Sequence, residues 1–194
     1  LQATPTMVSP SGVAGLRFED EAATANALIP LLRAQGADVI AVVIHEGGGT
    51  TAGVQETSCA GLSGDIVPIL ERLDPAVDVV VSGHTHQAYV CDYGRVNPAK
   101  PFLLTSAGQY GTLLTDIQLR VDTQTRRVVR KTARTVVVST RVRPPRRVAH
   151  CATRAASSGV CVASDGSGRS CGTKSDACSP WSNGLATRKV RTEL

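Results

Sequence analysis

The chain has 194 residues, room for one domain and little for a second. With 42% hydrophobic residues and a net charge of +5, it is not a charge-driven disordered chain as a whole, and no apolar run nears the roughly 20 residues a membrane-spanning helix needs. Aromatic residues make up only 3%, so a core must be built from Val, Leu, Ile and Ala.

No basic-then-apolar leader follows Leu1, so no signal peptide is expected there, and the missing Met start suits a processed chain or a fragment. The overall charge conceals a break. Residues 1–140 carry 11 basic and 13 acidic side chains, whereas residues 141–194 carry 10 basic and 3 acidic ones. Four of the six cysteines and the only Trp also fall in the second stretch. Two kinds of sequence are joined, and the expected division is 1–140 and 141–194.

In chain order, the first predicted helix covers residues 19–35. Ala22, Ala25, Leu28, Ile29 and Leu32 recur at helical spacing, behind the acidic Glu19, Asp20 and Glu21. Pro30 predicts a kink or an early break, and Gly36 suits the terminus. Residues 38–44 then read as a strand covered on both faces, because the run is continuously apolar after Asp38. A second helix is predicted over residues 65–73, and a second buried strand over 77–81. Alternating segments at 101–107, 111–121 and 127–138 predict antiparallel strands, the last two joined by a turn at 122–125. The expected class is α/β.

Both buried strands run into histidines. The first ends in His45-Glu46-Gly47-Gly48 and the second in Ser82-Gly83-His84-Thr85-His86-Gln87. Ligands of open α/β sheets sit at the carboxyl ends of strands, and neighbouring glycines let the backbone turn sharply. Imidazole suits Zn, Mn or Fe, so His45, His84 and His86 are the candidate metal ligands. A lone histidine after a strand is most often a hydrogen-bonded loop residue; the Gly-His-x-His pattern and the matched strand ends weigh against that here. Glu46 carries a weaker signal, since an acid beside a ligand is often merely solvated. His150 lies in the basic tail and is read as incidental.

The strand leading to His45-Glu46-Gly47, followed by the segment Asp78 to His86, resembles the calcineurin-like metallophosphoesterases. Residues 15–20, 37–47, 83–89, 105–111 and 115–119 look like the bacterial 5′-nucleotidase and 2′,3′-cyclic phosphodiesterase branch of that family. The resemblance spans roughly residues 5–140. It implies a partial metallophosphatase sandwich of mixed sheets flanked by helices, and a site of two divalent metal ions such as Zn or Mn. It further implies hydrolysis of a nucleotide to nucleoside and phosphate, and a periplasmic or secreted parent. His45 and His84 would serve one metal and His86 the other.

The family's remaining ligands and its acid-catalyst histidine belong to upstream Asp-x-His, Gly-Asp and Asn-His motifs, and the chain holds no Asp-x-His and no Asn-His. No catalytic acid is therefore assigned, and the expected product is a truncated chain inactive alone. Phosphoester substrates are the expected partners; a membrane and nucleic acid are not, and the oligomeric state is left open. Other metallophosphoesterase specificities, for cyclic or sugar nucleotides, and a non-catalytic basic binding module are the competing readings.

The branch often carries cysteines near Cys59 and Cys91, which are either a disulfide suited to an oxidising compartment or two unpaired small residues. Cys151, Cys161, Cys171 and Cys178 lack Cys-x-x-Cys spacing, which argues against a zinc ribbon. The Arg-, Ser- and Cys-rich composition of the tail suggests a frameshifted reading and poor packing, with Pro144-Pro145 blocking a helix.

Overall fold

The first long helix starts where a carboxylate can satisfy its free amide groups. A computed structural model describes residues 4–139 and 141; the expectations for the basic tail otherwise lie outside the described residues. The chain divides into two units, Leu1–Val138 and Ser139–Leu194, and the first is described below. A four-residue helix α1 (Thr4–Met7) and a 3-10 turn at Pro10–Gly12 precede helix α2 (Glu21–Ala34). The Asp20 side chain accepts the Ala23 N–H at 2.8 Å as N-cap.

The early break expected at Pro30 is not realised: the helix continues one turn to Ala34 and closes through Gly36, whose φ of +95° only glycine adopts freely. Of the periodic stripe, Ala22 and Ile29 face the core, while Leu28 and Leu32 are exposed.

Strand β1 is Ala41–Val43, shorter than the apolar run that predicts it. Helix α3 (Ile66–Arg72) buries Ile66, Ile69 and Leu70 at helical spacing. It is followed by β2 (Val79–Val81), then β3 (Ala88–Asp92), a 3-10 turn at Tyr93–Arg95 and β4 (Leu103–Ala107). The four strands form one sheet in the order β1-β2-β4-β3. Strands β1, β2 and β4 are parallel, in register Ala41↔Val79↔Leu103, and β3 returns antiparallel to β4. Thus β3 escapes the sequence reading, and β4 joins the parallel set rather than an antiparallel run. The first two residues of β3, Ala88 and Tyr89, fall within the histidine motif at 83–89.

The core lies between α2, α3 and this sheet, and includes Ile40, Leu73, Val77, Val80, Tyr89, Phe102 and Leu104. Burying one such side chain stabilises by about 1.5–3 kcal/mol. Tyr93 and Phe102 stack with ring centroids 4.9 Å apart. Cys59 and Cys91 form a disulfide with Cα atoms 4.9 Å apart, so the bridged alternative is the one realised.

A second, two-stranded sheet is the hairpin of β5 (Leu113–Asp122) and β6 (Arg127–Val137). Asp122 accepts the Gln124 and Thr125 N–H groups in the turn, which also holds its carboxyl below the ordinary carboxylate range. A two-stranded ribbon is marginal in water by itself. Side chains anchor it: Arg126 donates to the Asp38 carboxylate and the Gly36 carbonyl, both at 2.6 Å, and Thr135 and Gln55 exchange hydrogen bonds.

Asp78, just before β2, joins three elements. Its carboxylate accepts the Ile40 N–H at 3.0 Å and pairs with Lys131 of β6 at 3.3 Å and Arg33 of α2 at 3.7 Å. Among the described residues no helix is long and apolar enough to cross a membrane.

Candidate metal centre

Because β1, β2 and β4 run parallel, the loops that leave them emerge at one end of the sheet. The loop after β1 carries His45, the loop after β2 carries His84 and His86, and the loop after β4 carries Tyr110. All four side chains are exposed. The carboxyl ends of neighbouring parallel strands are where such sheets place their sites.

The first two loops are locked together by hydrogen bonds. The Ile44 N–H donates to Val81 O at 2.9 Å, the Gly83 N–H to Glu46 O at 3.1 Å, and the Thr85 hydroxyl to Gly48 O at 2.6 Å. Gly47 is required by this approach: a Cβ there would sit 2.0 Å from the Gly83 carbonyl oxygen. Beneath the second loop the Ser82 hydroxyl lies 2.7 Å from the Tyr89 hydroxyl and donates to Thr105 O at 2.9 Å. Burial pushes the Tyr89 pKa up, more than the Ser82 contact lowers it.

His84 and His86 have φ of +67° and +60°, and Tyr110 has +59°. Left-handed backbone at a non-glycine residue costs on the order of 1–3 kcal/mol and collects at functional sites. In an extended continuation of β2, side chains at 84 and 86 would share one face. Two left-handed residues separated by Thr85 redirect them.

The result is a pair rather than a cluster. His45 Nε2 lies 3.2 Å from His84 Nδ1, with the rings edge to face and centroids 5.1 Å apart. His86 instead faces Tyr110, with centroids 6.4 Å apart. Glu46 is buried, and its carboxylate accepts the Gly47 N–H at 3.1 Å, turning it inward against its own loop.

The nitrogen separation of the pair suits a shared ion, since zinc–nitrogen bonds of about 2.0–2.1 Å in a tetrahedral shell set ligands about 3.3 Å apart. Two imidazoles are fewer than the three protein ligands a catalytic zinc keeps. Among the described residues no three His, Cys, Asp or Glu side chains converge on one point. These residues therefore do not by themselves fit a two-metal centre, which needs carboxylates to supply charge and bridge the ions.

Sequence reasoning named the three histidines but not Tyr110 as a neighbour of His86. The signal for it was its place after an alternating strand, in a glycine-bracketed loop, Gly108 to Gly111.

No family model matches the chain. It is 28% identical over 137 residues to Endonuclease YhcR of Bacillus subtilis (strain 168), a match covering 71% of this chain and 10% of that protein. A solved structure, the calcineurin-like phosphoesterase YfkN from Bacillus subtilis, superimposes with a TM-score of 0.58 at 19% identity. That match covers 81% of this chain and 48% of the other, so the chain spans about half the length of the solved protein and a tenth of the curated one. The fold is thus the mixed α/β arrangement of a calcineurin-like phosphoesterase, present in part.

Proposed function

We propose that this chain is part of a phosphoester hydrolase of the 5′-nucleotidase type, converting a nucleotide to a nucleoside and phosphate. The observation that carries the reading is the His45–His84 pair, held at 3.2 Å where two parallel strands end. Loops that interlock through Gly47 and Gly83 keep the two imidazoles pre-positioned, and His86 stands on the same loop, turned toward Tyr110. The chain supplies imidazole donors; the carboxylates that complete a metal site come from polypeptide other than the described residues. Likeness in fold to a calcineurin-like phosphoesterase supports this chemistry.

The Cys59–Cys91 disulfide supports a place of work outside a reducing cytoplasm. A second reading, cleavage of nucleic-acid phosphodiesters, is favoured by the likeness to a protein named as an endonuclease.

The test is a hybrid in which residues 4–138 replace the matching segment of the solved relative. Release of phosphate from AMP with Mn or Zn present, abolished by His84→Ala, is the expected result. Cleavage of DNA with no phosphate released from AMP assigns the second reading instead. Assayed alone, the chain is expected to give background turnover, equal with and without His84→Ala. Robust turnover by the chain alone would overturn its partial character.

A further inference from the structure

Aromatic residues are scarce in this chain, and among the described residues their placement is selective. Tyr89, Tyr93 and Phe102 are 2% exposed or less and Phe18 is half-buried, whereas Tyr110 is 87% exposed. Its position is at the histidine end of the sheet, in the loop after β4, with its ring 6.4 Å from that of His86. The residue also accepts a left-handed backbone that a glycine would hold without strain, and glycines stand at 108 and 111.

The loop is tied down on both sides. The Gly108 N–H donates to Gln87 O at 3.1 Å, on the histidine loop itself. The Thr112 N–H and hydroxyl both donate to Gln109 O, and Thr112 O accepts the Val138 N–H at 2.9 Å. A ring presented this way offers a face to a flat partner without first having to be ordered, and stacking on a tyrosine tolerates any nucleobase.

We infer that Tyr110 is the stacking platform for the nucleobase of a substrate whose phosphate lies against the histidine loops, the base departing as part of the released nucleoside. The inference rests on the phosphoester reading above and names the residue by which the site would favour nucleoside phosphates over plain sugar phosphates. Tyr110 is a specificity contact and takes no part in bond breaking. Any base serves, because the platform reads a π-face and the ring hydroxyl is not required.

The experiment uses the full chain and two probes, AMP and ribose 5-phosphate, with binding followed by NMR. Tyr110→Phe keeps the ring; Tyr110→Gly removes it and suits the backbone at φ +59°, so that variant is expected to fold at least as well. Expected are upfield shifts of the adenine protons on binding, an AMP affinity kept in Tyr110→Phe and lowered about tenfold in Tyr110→Gly, and a ribose 5-phosphate affinity equal in all three. Equal AMP affinity in Tyr110→Gly and the parent, with ribose 5-phosphate still bound, overturns the stacking role and leaves the phosphoester reading standing. Failure of both probes to bind the parent chain overturns both readings.

Discussion

Strands β1 and β2 are near twins in composition and opposites in environment. One is Ala-Val-Val and the other Val-Val-Val, paired residue for residue; both lead into a histidine loop, and both follow an acidic residue, Asp38 or Asp78. Yet Val80 is 0% exposed and Val43 79%. The difference is one of neighbours. Strand β2 lies between β1 and β4 with α3 packed nearby, whereas β1 is the outermost strand of its sheet among the described residues. An apolar run thus encodes a capacity for burial, and the number of partners decides how much of it is realised.

The sharpest way to break this comparison is to place the same charge on each strand. Val80→Asp leaves an unpaired carboxylate in the core and is expected to cost more than about 4 kcal/mol, enough to abolish a cooperative urea transition. Val43→Asp should stay within about 0.5 kcal/mol of the parent. Equal losses would mean that β1 is as enclosed as β2.

Asp78→Ala is expected to come next, at about 3–5 kcal/mol by the same measurement. It strands Lys131, only 17% exposed, and leaves the buried Ile40 N–H without its acceptor, loosening the entry to β1 from the entry to β2. Asp78→Asn should recover part of that loss by keeping an acceptor for the amide. A result near zero would remove Asp78 as the clamp between the two strands.

Reducing Cys59–Cys91 sharpens the contrast from the β2 side, since the bridge ties the loop before α3 to β3. A cross-link between residues 32 apart is expected to contribute about 3–4 kcal/mol, read as a lower thermal midpoint in reductant. An unchanged midpoint would show that packing alone holds this side together.

The smallest effect lies on neither strand. The Ala23 N–H first, and then the Arg72 guanidinium, hold the Asp20 carboxyl below its ordinary 3.8. An acid whose pKa is lowered by folding contributes stability that is present above the ordinary value and lost as pH falls through the folded one. Melting points should decline slightly below pH 3.8, and Asp20→Asn should shallow that decline.

Much of this was legible in the sequence because local chemistry wrote it there. The caps of α2, the apolar spacing of α3 and the turn after Asp122 depend on residues a few positions apart. What was not legible depends on distant partners. Leu28 and Leu32 share the helical period of Ile29, yet only Ile29 meets the core. Strand β3 pairs its Ala88–Asp92 with β4, a relation that alternation within five residues does not reveal. At the site, the residue types and strand ends named the histidines. That His45 and His84 meet while His86 turns to Tyr110 follows from left-handed dihedrals at 84 and 86, which residue spacing cannot show.

The outer edge of β1 has a thermodynamic meaning of its own. No lysine, proline or bulge interrupts Ala41-Val42-Val43, the devices by which sheet edges are usually kept from recruiting other chains. Any polypeptide that adds a strand there binds only the folded form, and so raises its stability by mass action in proportion to the logarithm of its concentration. Folding of this chain is then coupled to the company it keeps: a cognate strand would be a stabilising ligand, and in its absence the same edge is a seed for self-association as concentration rises.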